Sequence, residues 1–368
     1  MKLLLLAGEE SGVLYAKRIA EAVRSTNPSV EIRSYGDYGF EISDLAVMGF
    51  FAVLRKIRFF LRVKRTMERA IDEWKPDVIC TVDYPGLNLK LAAYAKRRGS
   101  RAVHVVCPQV WAWKKGRIPK IEASLDRLCC FFPFEPALFK PGFAEFVGHP
   151  LVDEMGAQKG ERGKGKGDGA ESLLALLPGS RMGEIEKHLP VLLEVVGKLQ
   201  QEIPELRIVI PAANDKAYSK ISHACSLIPV PCSFRVTHGG ARAALRDADA
   251  AIVASGTATL EAALIGCPTV LVYRVNWLFA AIMRRLIRGV RHLGLANIIA
   301  EKAGAPCPMP ELLQEDFTVG EILQYVSPWL ADGAANAAAR RALADTMKLL
   351  GSDGSAIARI AGCVLSGV

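Results

Sequence analysis

Short apolar runs recur along this chain at intervals filled by helical patterns, and that alternation constrains the fold more than any other feature. In the N-terminal half the runs are residues 3–7, 30–34, 78–82, 102–106, 127–132 and 145–147. Helical spacing covers residues 11–25 and about 44–74, and a restart at Pro76-Asp77 precedes the third run. After residue 170 the pattern resumes with runs at 173–177, 207–211, 233–236, 250–254 and 269–273. Runs apolar throughout, each followed by a helix, predict strands of a parallel sheet covered on both faces. The two series are separated by Lys-Gly-Glu-Arg-Gly-Lys-Gly-Lys-Gly-Asp-Gly, which is too rich in Gly and Lys to build a core. The predicted organisation is α/β: a Rossmann-like domain over 1–157, a linker or loop over 158–170, a second Rossmann-like domain over 171–327, and C-terminal helices over 328–368. A length of 368 residues suits two such cores.

Composition removes several alternatives. With 51% hydrophobic and 23% charged residues the chain is neither disordered nor a disulfide-stapled miniprotein. Nine cysteines without a C-x-x-C pair read as reduced, mostly buried thiols. No apolar stretch approaches the roughly 20 residues that span a bilayer, and the opening Leu3–Leu6 run stops at Gly8-Glu9-Glu10, as a first strand does and a signal peptide does not. The net charge of +9 leaves nucleic acid, an anionic membrane or an anionic substrate as targets.

In parallel sheets ligands bind beyond the carboxyl ends of the strands, so the chemistry is sought in the turns there. Ala254-Ser255-Gly256-Thr257-Ala258-Thr259-Leu260-Glu261 passes from a strand directly into a helix. Its amides, hydroxyls and helix dipole suit a phosphate, and Glu261 suits a ribose diol; ordinary N-capping accounts for the same residues. Leu177-Pro178-Gly179-Ser180-Arg181 is a second such turn, where Ser180 and Arg181 are candidate pyrophosphate donors or plain surface residues. Neither turn has the glycine spacing of a dinucleotide or P-loop site. Asp83, directly after the strand 78–82, is placed to act as a general base or as a cap for the following helix. The first turn, Gly8 to Gly12, is small enough for close backbone approach to a ligand. Asp247-Ala248-Asp249 has the D-x-D form of a metal motif but lies before its strand, where capping or solvation is the expected role, and no metal is assigned.

Two segments mix large apolar and basic residues. Between positions 45 and 67 the chain carries Phe50, Phe51, Leu54, Phe59 and Phe60 among Arg55, Arg58 and Arg62, with no acid from Arg55 to Arg65. Residues 277–291 repeat the theme. Either segment is a core helix with solvated cations or an amphipathic helix on an anionic lipid surface. Nucleic acid is the weaker target because recognised binding motifs are missing.

Taken in order, the motifs resemble the lipid-A-disaccharide synthase family of GT-B glycosyltransferases. The resemblance rests on Ala7-Gly8-Glu9-Glu10-Ser11-Gly12, Leu45-Ala46-Val47-Met48-Gly49, Val82-Asp83-Tyr84-Pro85 and Pro108-Gln109-Val110-Trp111-Ala112-Trp113. It continues through Phe132-Pro133-Phe134-Glu135, Phe146-Val147-Gly148-His149-Pro150-Leu151, the 177–181 and 255–261 turns, Tyr273-Arg274, Asn297-Ile298-Ile299-Ala300 and Pro310-Glu311-Leu312-Leu313-Gln314. The resemblance implies two Rossmann-like domains facing across a cleft. It also implies inverting, metal-independent transfer from UDP-2,3-diacylglucosamine to 2,3-diacylglucosamine 1-phosphate, giving a β-1,6-linked disaccharide and UDP with no cofactor. Carried over by motif, Asp83 is the base and Arg181 stabilises the departing diphosphate. Ser180, Ser255, Gly256, Thr257, Glu261, Arg274, Asn297 and Gln314 serve the donor, and Glu9, Ser11, Gly12, Met48 and Trp111 the acceptor. The expected place is the inner face of the inner membrane of a Gram-negative-type bacterium, as a peripheral cytoplasmic enzyme. A homodimer exchanging C-terminal helices and a monomer are both left open.

Three departures lie in the N-terminal half. Val13 stands where the family's first motif ends in Asp, the Gly-Gly-Pro-x-Met segment is missing, and Ala52 replaces a frequent Glu. They keep a different acceptor, or an epimerase, as the alternative reading.

Overall fold

A computed structural model describes residues 1–41, 57–157, 171–227, 233–276, 290–351 and 354–366. The chain divides into two units, Met1–Asp153 with Leu350–Val368, and Glu154–Leu349. Residues 158–170 lie outside the described residues, as do Met48, Phe50, Phe51, Leu54, Arg55 and positions 277–289.

In the first unit six parallel strands run in the order β2-β1-β3-β4-β5-β6. They are β1 (Lys2–Ala7), β2 (Glu31–Arg33), β3 (Val78–Val82), β4 (Arg101–Val105), β5 (Arg127–Cys130) and β6 (Ala144–Phe146). The two-residue period of a strand divides its apolar side chains between two cores. Leu4, Leu6 and Ile79 pack with α2 (Ile57–Trp74), α3 (Pro85–Arg97) and α4 (Ile118–Ser124). Leu3, Leu5, Val78 and Cys80 pack on the opposite face with α1 (Glu10–Thr26) and the last helix, which spans Ala356–Leu365. Arg101 secures that last helix by donating from Nη1 to Cys363 O (2.5 Å) and Val364 O (3.3 Å), carbonyls that a helix end leaves open.

The second unit repeats the plan with the order β12-β11-β10-β7-β8-β9. Its strands are β7 (Leu173–Leu177), β8 (Arg207–Ala212), β9 (Ser233–His238), β10 (Ala250–Ala254), β11 (Thr269–Tyr273) and β12 (Glu311–Leu313). After α5 (Pro150–Ala157), which runs in from the first unit, come α6 (Met182–Glu202), α7 (Asp215–Ser226), α8 (Ala241–Asp247), α9 (Thr257–Ile265) and α10 (Leu295–Lys302). Residue 328 falls within α11 (Val319–Ala331). Helix α12 (Gly333–Lys348) is tied down by Arg340, which donates to Gly266 O at 3.0 Å and Ala248 O at 3.1 Å. The terminal helix α13 (Ala356–Leu365) belongs to the first unit, so the chain beyond 328 is shared between the two. Asp249 of the D-x-D sequence accepts from Leu173 N, at the start of β7, at 2.9 Å. No helix among the described residues is long and apolar enough to cross a membrane.

Because every pairing is parallel, the turns after β1, β3, β4, β5 and β6 share one edge of the first sheet. The turns after β12, β11, β10 and β7 share one edge of the second.

Candidate active site

At the first sheet's carboxyl edge, β1 and β3 are neighbours in register from Leu3↔Val78 to Ala7↔Val82, so their turns emerge side by side. Asp83 (φ 50°) and Tyr84 (φ 51°) both take left-handed backbone conformations. For non-glycine residues each costs about 1 kcal/mol or more, and such strain collects at functional turns. Three groups impose the bend. Asp83 Oδ1 accepts from Tyr84 N at 2.7 Å. The buried Asn88 donates from Nδ2 to Asp83 O at 2.8 Å and Val82 O at 3.2 Å. Tyr35 in turn donates its hydroxyl to Asn88 Oδ1 at 2.7 Å. Gly8 completes the fit, since a Cβ there would stand 2.6 Å from the Tyr84 ring. Burial raises the pKa of Asp83 above its ordinary value. Glu9, the N-cap residue of α1, is raised by burial and by the nearby charge of Asp83. A carboxylate with raised proton affinity at a strand end suits a general base. Ser11 is exposed in the first turn of α1, and Gly12 packs closely, its virtual Cβ 3.5 Å from Val82 O.

Trp111, expected on the acceptor side, is 5% exposed, and its indole Nε1 donates to Glu135 Oε1 at 3.1 Å, so it braces the turn. Glu135 Oε2 also accepts from Phe132 N at 3.1 Å, which ties the turn after β4 to the turn after β5. Burial pushes the Glu135 carboxyl up to about 8. Trp113, two residues on, is the exposed member at 43%, with Lys114 Nζ 4.4 Å from its ring centroid.

Phe59 and Phe60, expected at a membrane surface, are half-buried and pack on the core side of α2, Phe59 against Phe40 and Phe60 against Tyr84. The apolar groups that α2 exposes are Ile57 (51%) and Leu61 (48%). Helical spacing places Leu61 in a groove of about 500 Å³ with Arg58, Arg62, Arg65, Thr66 and Arg69.

In the second unit the N-termini of α6, α9 and α10 differ in what fills them. The turn before α6 curls around Glu184, whose Oε2 accepts from Ser180 N at 3.2 Å and Arg181 N at 3.4 Å, while Oε1 takes Arg181 Nη1 at 2.8 Å. Gly179 has φ 123° and no room for a Cβ beside Glu184. At α10, Glu311 accepts from Leu293 N (2.8 Å), Gly294 N (3.0 Å) and Asn297 Nδ2 (2.8 Å). At α9 no side chain caps the amides, and Gly256 and Thr257 are exposed. Ser255 is half-buried beside them, and Thr259 Oγ1 turns inward to Gly256 O at 2.8 Å. Unpaired N–H groups at the positive end of a helix dipole are an anion site.

Asn297, expected on the donor side, is 1% exposed, and its amide bridges Met309 and Glu311 as an internal brace. Arg274 is oriented over Phe317, with its guanidinium donating to Gln314 O at 3.2 Å and to Phe317 O. The Gln314 amide, nitrogen toward Val275 O, pairs with both backbone groups of Val275 at 3.2 Å. Both residues therefore shape the edge after β11 and β12. Two groups escaped the sequence reading. His188, wholly buried, joins two turns: Arg274 N donates to its Nε2 at 3.0 Å, so Nδ1 carries the proton donated to Pro178 O at 2.8 Å. Arg242 on α8 reaches Glu261 on α9 at 2.8 Å and Glu154 on α5 at 3.0 Å. A lone histidine within a helix gives no sequence signal, whereas the Gly239-Gly240 turn before Arg242 is visible.

Two all-parallel Rossmann-like units with their polar turns at the strand ends define an α/β fold of the GT-B kind. Its relatives among solved structures include the S. aureus MnaA–UDP co-structure (TM-score 0.63, 13% identity, covering 98% of this chain and 94% of that one). MurG of Acinetobacter baumannii is another, with TM-score 0.60, 12% identity and coverage of 99% and 98%. Residues 3–358 match the family model for lipid-A-disaccharide synthetase. The lipid-A-disaccharide synthase of Trichlorobacter lovleyi is 32% identical over 379 residues, covering 99% of this chain and 97% of its own. That of Syntrophus aciditrophicus is 36% identical over 327 residues, covering 84% and 83%. The chain belongs to the lipid-A-disaccharide synthase family, glycosyltransferases that use a UDP-sugar in lipid A synthesis.

Proposed function

We propose that the protein transfers 2,3-diacylglucosamine from its UDP derivative to 2,3-diacylglucosamine 1-phosphate with inversion. The acceptor's 6-hydroxyl oxygen forms a bond to the anomeric carbon, its proton passes to the Asp83 carboxylate, and the bond to the diphosphate breaks with its electrons leaving on UDP. The products are the β-1,6-linked disaccharide 1-phosphate and UDP. Negative charge grows on the diphosphate as the bond opens, and oriented donors stabilise it there. The open amides of Gly256, Thr257 and Ala258 and the guanidinium of Arg181 supply those donors, so the step needs no metal from the solvent. Glu261 takes the ribose diol, and Arg274 and Gln314 shape the donor side. Ser11 and Gly12 offer a close backbone approach to the acceptor.

The observation that carries this reading is the uncapped N-terminus of α9, set between α6 and α10, whose own N-termini are filled by Glu184 and Glu311. The test is UDP release from the two diacylated substrates in the presence of a strong chelator. Turnover unchanged by the chelator and lost in Asp83→Asn supports the mechanism. Loss with the chelator, restored by a divalent cation, contradicts it.

Acyl chains keep both substrates in a membrane, so the enzyme must reach that surface. Ile57 and Leu61 with Arg58, Arg62, Arg65 and Arg69 present an apolar tip ringed by guanidinium groups, the chemistry of an anionic lipid surface. That chemistry supports a peripheral position on the cytoplasmic leaflet. Sedimentation with vesicles containing phosphatidylglycerol, lost in Leu61→Asp, tests it.

A further inference from the structure

Arg242 is the second residue of α8, after Gly239 (φ 66°), Gly240 (φ 80°) and Ala241. A cation at a helix N-terminus opposes the helix dipole, so the position is held by its partners and not by its own helix. Those partners are two carboxylates from separate elements. Nε and Nη2 converge on Glu261 Oε1 at 2.9 and 2.8 Å, and Nη1 meets Glu154 Oε2 at 3.0 Å. The carboxylate side chains are only 15% and 16% exposed, and a planar fork between them fixes both. Both guanidinium bonds to Glu261 fall on one oxygen, and Oε2 has no donor within the described protein. Side chains on a helix lean toward its N-terminus, so Glu261 leans toward the open amides of Gly256 and Thr257.

We infer that Arg242 is a positioning residue for donor recognition: it pins Glu261 Oε1 so that Oε2 stays directed at a ribose hydroxyl. The inference rests on the ribose role of Glu261 given above. Arg242 touches no substrate itself; its effect on specificity passes through Glu261. Glu154 anchors the other edge of the guanidinium and keeps it from swinging away. Lysine in place of Arg242 retains the charge but loses the two-nitrogen grip on a single oxygen.

The experiment compares UDP with 2′-deoxy-UDP by titration calorimetry, taking the ratio of the two Kd values as the readout. A ratio measured within one variant does not depend on how much of the sample is folded. The intact protein favours UDP by about tenfold, the worth of one charge-assisted hydrogen bond. Glu261→Ala brings the ratio near one. Arg242→Ala brings it below about threefold, Arg242→Lys falls between, and the double variant Glu261→Ala/Arg242→Ala matches Glu261→Ala alone. If Glu261→Ala loses the preference while Arg242→Ala and Arg242→Lys keep it, the inference about Arg242 is overturned and the ribose role of Glu261 stands. If Glu261→Ala itself keeps the preference, the ribose reading fails first. Should Arg242→Ala not fold, Arg242→Lys decides: a reduced ratio supports the inference and an unchanged ratio overturns it.

Discussion

Glu9 and Asp83 in the first unit are partly buried carboxylates that form no ion pair among the described residues, and burial lifts the pKa of each. Glu184 in the first turn of α6, Glu261 further along α9 and Glu311 at the start of β12 in the second unit are each held by arginine or by backbone and amide N–H groups. The contrast separates two tasks. A carboxylate with no compensating cation near it is tuned to accept a proton, whereas a carboxylate fixed by donors orders the donors around it. Of the starts of α6, α9 and α10, that of α9 is the one with no internal carboxylate on its amides, which leaves it open to an incoming anion.

The sharpest way to break the comparison is at Asp83. Asp83→Asn keeps the size but removes the proposed base, and kcat is expected to fall by about 10²–10⁴ while UDP affinity is unchanged. In the intact enzyme kcat/KM should decline as pH drops through a pKa above the usual Asp value, because the ionised form is the active one and burial raises that pKa. Arg181→Ala acts on the other unit. Loss of one donor to the developing diphosphate charge should lower kcat by about a hundredfold, read in single-turnover assays. An equal loss of UDP affinity and kcat in both variants would erase the division of labour.

Smaller effects concern the braces. Trp111→Phe leaves Glu135 Oε1 without its indole donor in a buried site, a cost of about 1–3 kcal/mol in denaturant melts. Glu135 also gives a signed pH dependence. Its folded pKa of about 8 lies above the ordinary 4.5, so the folded state holds the extra proton and stability falls as pH rises from 4.5 through 8. In Glu135→Gln that slope should flatten. The buried imidazoles act from the acid side. His104 and His149 have folded values of about 3 and 4, below the ordinary 6.5, so stability falls as pH drops below 6.5. Each approaches about 1.4 kcal/mol per pH unit, measurable as the pH dependence of the melting midpoint.

Strands buried on both faces announce themselves by unbroken apolar runs, which is why β3, β7, β10 and β11 coincide with the runs seen in the sequence. The three-residue β12 is too short to give a period and was visible only as part of a motif. The strand-end residues Asp83, Arg181 and Ser255–Thr257 were legible because a polar turn after an apolar run is local information. What a side chain touches is not local. Trp111 and Trp113 are equivalent in sequence, yet only the fold sends the first to Glu135 and leaves the second exposed. Phe59 and Phe60 joined a surplus of apolar residues on a basic helix, and packing against Phe40 and Tyr84 resolved which of the surplus is core. Arg242 and His188 draw their roles from contacts between separate elements that no spacing encodes.

A crystal structure with UDP tests the division between the units most directly. The account predicts diphosphate oxygens about 3 Å from the amides of Gly256, Thr257 or Ala258, with Glu184 and Glu311 still seated on their own helices. A diphosphate bound instead at the start of α6 or α10, displacing Glu184 or Glu311, would contradict it.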